Sequence, residues 1–285
     1  MGQQCPLRIL LTEDDATNQK LALRILGRLG YEADVAGNGL EALQALKRQV
    51  YDVVLMDVQM PEMDGLEATR QLRKKFPEMR QPRVIAITAN AMQGDREMCL
   101  VAGMDDYVSK PIRIEELVES LSKSRPLGDD QETEGKASAK TSERIGSEGE
   151  DASRAPTGTS NLEPDVEILD RAALDNLLSL LGGEFSYLDD LIDTFLEDGP
   201  VLLQDLDQFV SDGDDEGVRR VAHSLKSNGA DFGASAFSNL CKVLELEAKS
   251  GELSNAARLS AQSRDEYEKV ESALMDIRRE RMIPS

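Results

Sequence analysis

The single histidine of this 285-residue chain, His223, stands in Ala-His-Ser-Leu-Lys-Ser-Asn-Gly. On a helix, Val218, Val221, Ala222, Leu225, Gly229 and Phe232 fall in one apolar stripe at i, i+3, i+4, i+7 spacing. At roughly 100° per residue His223 lies about 140° from the centre of that stripe, which predicts an exposed imidazole. Arg219, Arg220, Lys226 and Ser227 sit three or four residues away on the same helix. A ring nitrogen among cations and a small hydroxyl suits chemistry in which it carries an anion for a time, such as a phosphoryl group. Taken alone, the segment reads as well as a solvated surface histidine. The first half of the chain tips the balance.

There, polar residues stand where short β-rich runs end. Glu13, Asp14 and Asp15 follow Arg8–Leu11; Asp57 follows Val53–Met56; Thr88 follows Val84–Ile87; Lys110 follows Asp106–Val108. With Glu32–Val35 these make five strands, and amphipathic stretches such as Leu21, Ala22, Ile25, Leu26 and Leu29 alternate with them. That alternation predicts an α/β doubly wound five-stranded parallel sheet covered on both faces. In such a sheet chemistry collects at the carboxyl ends of the strands, near the point where strand order reverses. Carboxylates converging there repel one another unless a cation sits among them, and hard oxygen ligands suit Mg²⁺. A lysine adds positive charge and a threonine hydroxyl can donate to an anionic oxygen. The set would stabilise charge on a transferring phosphoryl group, with one carboxylate as nucleophile. Any one of these residues could be a helix cap; the set at successive strand ends is not explained that way.

Composition bounds the rest. The formal charge is −21, and 12 basic against 26 acidic residues follow Pro164. A second half so acidic would be repelled by a phosphate backbone, so no nucleic acid partner is expected. Cys5, Cys99 and Cys241 form no C-x-x-C pair, which suggests neither a disulfide framework nor a zinc site. No apolar run approaches the roughly 18–20 residues that cross a bilayer. The acidic start lacks the basic region of a signal peptide, and Pro6 spoils the myristoylation pattern begun by Gly2. A cytoplasmic location without direct membrane insertion is expected.

Three segments emerge: a sheet domain over 6–123, a flexible linker over 124–164, and a helical domain over 165–281. The linker, with Gly146-Ser147-Glu148-Gly149-Glu150 and Pro156-Thr157-Gly158-Thr159-Ser160, has almost nothing apolar to bury. Beyond it, leucine stripes (Leu174, Leu177, Leu178 and Leu181; Leu188, Leu191, Ile192 and Phe195; Leu202, Leu206 and Phe209) predict an all-α antiparallel bundle. Its turns are expected at Gly182-Gly183, Gly199-Pro200, Asp212-Gly213-Asp214 and Ser250-Gly251.

Ile-Leu-Leu-Thr-Glu-Asp-Asp-Ala-Thr-Asn near residue 9, Leu-Met-Asp-Val-Gln-Met-Pro-Glu-Met-Asp-Gly around Asp57, Ile-Thr-Ala-Asn-Ala from Ile87, and Asp-Tyr-Val-Ser-Lys-Pro ending at Pro111 resemble receiver domains of two-component signalling. The likeness covers essentially 7–123 and is greatest to the receivers of hybrid histidine kinases. It implies a flavodoxin-like sheet of order 2-1-3-4-5 with Asp57 as phospho-acceptor. It further implies Mg²⁺ held by Glu13, Asp14, Asp57 and the carbonyl of Gln59, Thr88 and Tyr107 as a switch pair, and Lys110 on the phosphoryl group before a cis Pro111. Gln59 and Asn90 are expected to influence the lifetime of the acyl phosphate. Asp15 departs from the asparagine usual in that family, so the acidic pair could be read one residue later; Glu13/Asp14 is preferred.

Leu181-Gly182-Gly183-Glu184, Leu191-Ile192-Asp193-Thr194-Phe195, the His223 segment and Phe232-Gly233-Ala234 resemble histidine phosphotransfer (HPt) domains over about 168–250. That likeness implies phosphorylation of His223, Lys226 near the phosphoryl oxygens, and Gly229 leaving room for a docking partner. Asn228 departs from the small serine common there. Together the two resemblances imply a phosphorelay intermediate rather than a stand-alone kinase. Its expected partners are an upstream sensor histidine kinase, or the missing N-terminal part of a hybrid kinase, and a downstream receiver. Two other classes stay open. One is a phosphorylation-switched module whose helical domain only docks partners. The other is a dinucleotide-binding oxidoreductase, suggested by Gly37-Asn38-Gly39-Leu40-Glu41-Ala42 before a helix, although that motif follows the second strand and no second mononucleotide half is left.

Overall fold

The computed structural model describes residues 1–2, 5–88, 93–127 and 168–282. Asn90 and nearly all of the expected linker lie outside these residues.

Five parallel strands, β1 (Ile9–Thr12), β2 (Ala33–Ala36), β3 (Val53–Asp57), β4 (Arg83–Thr88) and β5 (Asp106–Ser109), pair in the order β2-β1-β3-β4-β5. The strands fall within a residue or two of the runs read from sequence. The order reverses at β1/β3, so the residues that follow these two strands meet over one crevice. Helices α1 (Ala16–Arg28), α2 (Gly39–Arg48), α3 (Gly65–Lys75), α4 (Gln93–Ala102) and α5 (Ile114–Ser122) connect and cover the sheet. β1 and β3 are buried throughout, as strands covered on both faces must be.

The glycine motif of the oxidoreductase reading has another use. Asn38 caps α2, its Oδ1 accepting from the Glu41 amide at 2.9 Å, while Glu41 Oε2 accepts from the Gly37 amide at 2.7 Å. The pair resembles a capping box, with Glu41 reaching the amide just before the cap residue rather than that of the cap itself. A Cβ on Gly39 would meet the Met63 carbonyl at 2.7 Å and Ala68 at 2.8 Å, so the glycine lets α2 close on α3.

The helical half consists of α6 (Arg171–Leu180), α7 (Phe185–Asp212), α8 (Asp215–Asp231), α9 (Ser235–Ser250) and α10 (Ala256–Met282). α8 packs on α7 and α9, and α10 on α9 and α7, which closes a four-helix bundle. Phe195, Phe232, Phe237 and Tyr267 meet at its centre with ring centroids 5.1–5.9 Å apart. The turns at Gly182-Gly183, Gly213 and Gly251 are present, each glycine at positive φ.

Three sequence expectations are corrected. Gly199-Pro200 makes no turn, because α7 runs through it. A Cβ on Gly199 would lie 2.3–2.4 Å from the Tyr267 ring, and the Tyr267 hydroxyl donates to the Phe195 carbonyl at 3.0 Å. Close packing of α10 thus supports the helix where proline weakens it. Residues 124–127 belong with the sheet domain rather than the expected linker: Ser124 is buried, and the Leu127 amide donates to Asp52 Oδ1 at 2.6 Å. Gly229 does not face a docking partner. A Cβ there would lie 2.6 Å from Phe237 Cδ1, so the missing side chain lets α9 approach α8 within the bundle.

The sheet domain meets the bundle chiefly through α1 and α7. Arg24 stacks over the Tyr187 ring and Lys20 Nζ donates to Thr194 Oγ1. Arg28 donates to the Ser179 carbonyl at 2.6 Å, at the end of α6 where helical carbonyls lack partners. Leu23 packs against the apolar core shared by the two halves.

Gly229→Ala is expected to lower the stability of the bundle by about 1–3 kcal/mol, the usual cost of overpacking. Denaturant unfolding checks this. Unchanged stability with impaired docking would restore the partner-facing role.

Candidate functional site

The site is built from strand ends. β1 delivers Glu13 and Asp14, β3 ends on Asp57, β4 on Thr88, and the chain after β5 carries Lys110 before a cis Pro111. Carboxylate oxygens of Glu13, Asp14 and Asp57 lie within 4.8 Å of one another. The Lys110 ammonium bridges Asp57 Oδ2 at 2.6 Å and Glu13 Oε2 at 2.8 Å. The main-chain N–H of Gln59 donates to Asp57 Oδ1 at 3.0 Å. Behind Asp57, a Cβ on Gly65 would fall 2.0 Å from its carbonyl oxygen, so only glycine can start α3 there.

Asp15 is not part of this cluster. It caps α1, its Oδ1 accepting from the Asn18 amide at 2.9 Å. The geometry therefore groups Glu13 and Asp14, not Asp15, around Asp57.

Burial and like charge strain the cluster. Burial pushes Asp14 up to about 7, helped by the Asp57 charge and opposed by Lys110. Burial holds Glu13 well above the usual carboxylate range, with Lys110 offsetting part of the effect. Burial alone would lower Lys110, but Asp57 and Glu13 outweigh it and keep the ammonium charged. Thr88 is buried and Tyr107 half-buried beneath the Arg96 guanidinium, 5.3 Å from the ring centre.

His223 corrects a further expectation: it is 6% exposed, not solvated. It does point away from the apolar stripe of α8, but what lies on that side is α9 and the strand-end face of the sheet domain. Asp57, Gln59, Thr88, His223, Lys226 and Glu245 line one cavity of about 220 Å³. His223 Nδ1 lies 2.8 Å from Glu245 Oε1, and Lys226 Nζ lies 2.5 Å from Glu245 Oε2. A carboxylate only accepts, so Nδ1 carries the ring proton and Nε2 keeps its lone pair. Lys226 Nζ, 3.3 Å from Nδ1, is then a neighbouring charge rather than a donor to it. Nε2 is buried without a hydrogen-bond partner. Burial lowers the His223 pKa below 6.5, Glu245 opposing and Lys226 adding to the shift. Glu245, which burial would raise, is held at about 2 by His223 and Lys226.

Sequence reading missed Glu245. It lies in Leu244-Glu245-Leu246-Glu247, where nothing separates it from an ordinary surface acid. It also missed that Asn228 Nδ2 donates to Asp15 Oδ2 at 2.8 Å across the two halves.

A buried carboxylate with its lysine, sharing a cavity with a histidine on a four-helix bundle, points to a two-domain signalling protein. Family models agree: residues 9–122 match the response regulator receiver domain and residues 190–273 the Hpt domain. The chain carries a receiver domain followed by an Hpt domain. Among its relatives, histidine protein kinase 1 of Candida albicans is 42% identical over 132 residues, 43% of this chain and 5% of that protein. The aerobic respiration control sensor protein ArcB of Escherichia coli is 40% identical over 127 residues, 45% of this chain and 16% of that protein. The chain thus spans only a small part of these proteins. Among solved structures, a sensor histidine kinase receiver domain from Pseudomonas aeruginosa is 44% identical over 41% of this chain and 95% of its own, with a TM-score of 0.38. No helix among the described residues is long and apolar enough to cross a membrane.

With one histidine in the chain, its titration is directly readable by NMR. The imidazole should titrate below 6.5. Glu245→Ala should move the midpoint lower still, because the carboxylate favours the imidazolium. A wild-type midpoint at or above 6.5 would contradict the buried placement.

Proposed function

We propose that this protein is a phosphorelay intermediate in which Asp57 accepts a phosphoryl group from a sensor histidine kinase and His223 passes it to or from another receiver. The observation that carries this reading is the shared cavity: Asp57 and His223 line the same small space, and Nε2 of His223 has no hydrogen-bond partner.

The oxygen-only cluster of Glu13, Asp14 and Asp57 suits Mg²⁺. Burial raises the pKa values of Glu13 and Asp14, and the neighbouring Asp57 charge adds to the rise in each; a cation bound among them would favour their ionised forms. In this reading those three carboxylates and the Gln59 carbonyl hold the ion. Bound there, Mg²⁺ would supply positive charge to the phosphoryl oxygens.

The protein's own groups do the rest. Asp57, whose Oδ1 accepts from the Gln59 amide and whose Oδ2 is held by Lys110, attacks phosphorus through one carboxylate oxygen as that oxygen's hydrogen-bond donor yields. The O–P bond forms as the phosphodonor's bond to phosphorus breaks. Lys110 and the Thr88 hydroxyl take up charge on the peripheral oxygens. For the second transfer, the Nε2 lone pair of His223 attacks the aspartyl phosphate, the N–P bond forms, and the Asp57 carboxylate leaves with the O–P electron pair. The Nδ1 proton stays on the ring, held by Glu245, while Lys226 adds charge beside the new phosphoramidate. A neutral imidazole is what this step requires, and a pKa below 6.5 provides it at neutral pH. Thr88 and Tyr107 form the switch pair: Thr88 moving toward phosphate would open space for the Tyr107 ring.

The test uses the full chain, a small-molecule phosphodonor and Mg²⁺. Asp57→Asn, or chelation of the metal, should abolish labelling. His223→Gln should retain the base-labile acyl phosphate on Asp57 and lose every base-stable phosphoryl group. Undiminished transfer by His223→Gln to a second receiver would reduce the helical domain to a docking module.

A further inference from the structure

Besides His223, the face of α8 turned toward the receiver carries Ser227, Asn228 and Asp231, with Ser227 Oγ, Asn228 Oδ1 and Asp231 Oδ2 buried and without hydrogen-bond partners. Against that background a polar contact to the receiver stands out. Asn228 Nδ2 donates to Asp15 Oδ2 at 2.8 Å, and the two residues are 2% and 8% exposed. The other oxygen of Asp15 caps α1, which fixes the carboxylate rigidly at the start of the helix that docks on α7. Asp15 lies outside the metal-ligand cluster and Asn228 outside the cavity that holds the imidazole.

We propose that Asp15 and Asn228 form the specificity contact by which this Hpt domain selects the receiver it exchanges phosphate with. The partner it fits is a receiver that presents an acceptor oxygen at the N-cap of its first helix. This inference rests on the phosphorelay reading and adds the recognition element to it. A buried amide donor facing a carboxylate is satisfied, whereas the same amide facing an apolar residue stays unpaired. Two carboxylates at that position would repel in a desolvated setting, which rejects a wrong partner more strongly than the matched pair rewards the right one. Because both residues hold fixed positions on helices next to the transfer site, a mismatch would also move His223 off the line of attack on Asp57.

The test reads transfer between two full-length chains. A His223→Gln chain is loaded at Asp57, freed of phosphodonor, and mixed with an Asp57→Asn chain; base-stable label on the latter is followed in time. Asn228→Asp in the acceptor sets carboxylate against carboxylate and should slow transfer at least about tenfold, the scale of one buried charge-assisted contact. Adding Asp15→Asn to the donor reverses the polarity of the pair and should restore the rate to within about threefold. Asparagine is itself a good N-cap, so α1 is kept. Loading of the donor at Asp57 should be unchanged by Asp15→Asn, which separates recognition from damage to the neighbouring acid cluster. A loss that Asp15→Asn does not reverse would place Asn228 among residues needed only within the bundle and overturn the proposal. Equal rates for all four combinations would do the same. Absence of base-stable label in the unsubstituted pair would instead overturn the relay reading, and the pairing with it.

Discussion

Asp57, Glu13 and Asp14 bring three carboxylates within 4.8 Å of one another at a buried sheet edge, with the Lys110 ammonium set among them. Two unit charges 4 Å apart near a protein surface interact by about 4 kcal/mol. The cluster is therefore tolerable only with compensation, and a single lysine under-compensates it. Burial strains the acids most: it pushes Asp14 up to about 7 and holds Glu13 above ordinary carboxylates, with the Asp57 charge adding to both rises. The doubly wound sheet concentrates this charge, since β1 and β3 are neighbours, β3 ends on Asp57, and Glu13 and Asp14 directly follow β1. In the proposed relay, a divalent cation held by these carboxylates would supply the missing positive charge.

The histidine side of the site obeys the opposite logic. Glu245 fixes the ring proton on Nδ1, and burial disfavours a second proton. The lone pair on Nε2 is thus kept available, on a residue that lines the cavity shared with Asp57. Docking creates both conditions together, because the receiver face that brings the carboxylate is the one that helps exclude water from the imidazole. In the relay reading this has a cost. A second receiver needs the same face of α8, so the chain's own receiver has to leave α7 and α8 before phosphate can move onward. An interface of arginine, lysine and one asparagine contact, rather than a wholly apolar one, suits such exchange.

Much of this was legible in the sequence, and the reason is local periodicity. Strand-end acids, Thr88 and Lys110 are marked by the β-runs they follow, and the stripe from Val218 to Phe232 marks the inner face of α8. What failed to show was anything decided by a second element. His223 reads as exposed because helical geometry alone cannot include α9 or the receiver that covers it. Gly229 reads as an open surface position until Phe237 is placed 2.6 Å from its absent Cβ. Gly199-Pro200 reads as a turn because local propensity cannot include the Tyr267 ring packed against it. Asp15 and Asn228 were each visible as departures from the resembled families; only the structure sets them against each other.

The central claim is that His223 Nε2 is the nitrogen that meets phosphorus from Asp57. A chain with a single imidazole, labelled with ¹⁵N-histidine, permits a direct reading. Before loading, the ring should show a protonated Nδ1 and an unprotonated Nε2. After loading with a phosphodonor and Mg²⁺, phosphorus–nitrogen coupling should appear on Nε2, and it should be absent in Asp57→Asn treated alike. Coupling on Nδ1, or phosphohistidine formed equally well in Asp57→Asn, would contradict the account.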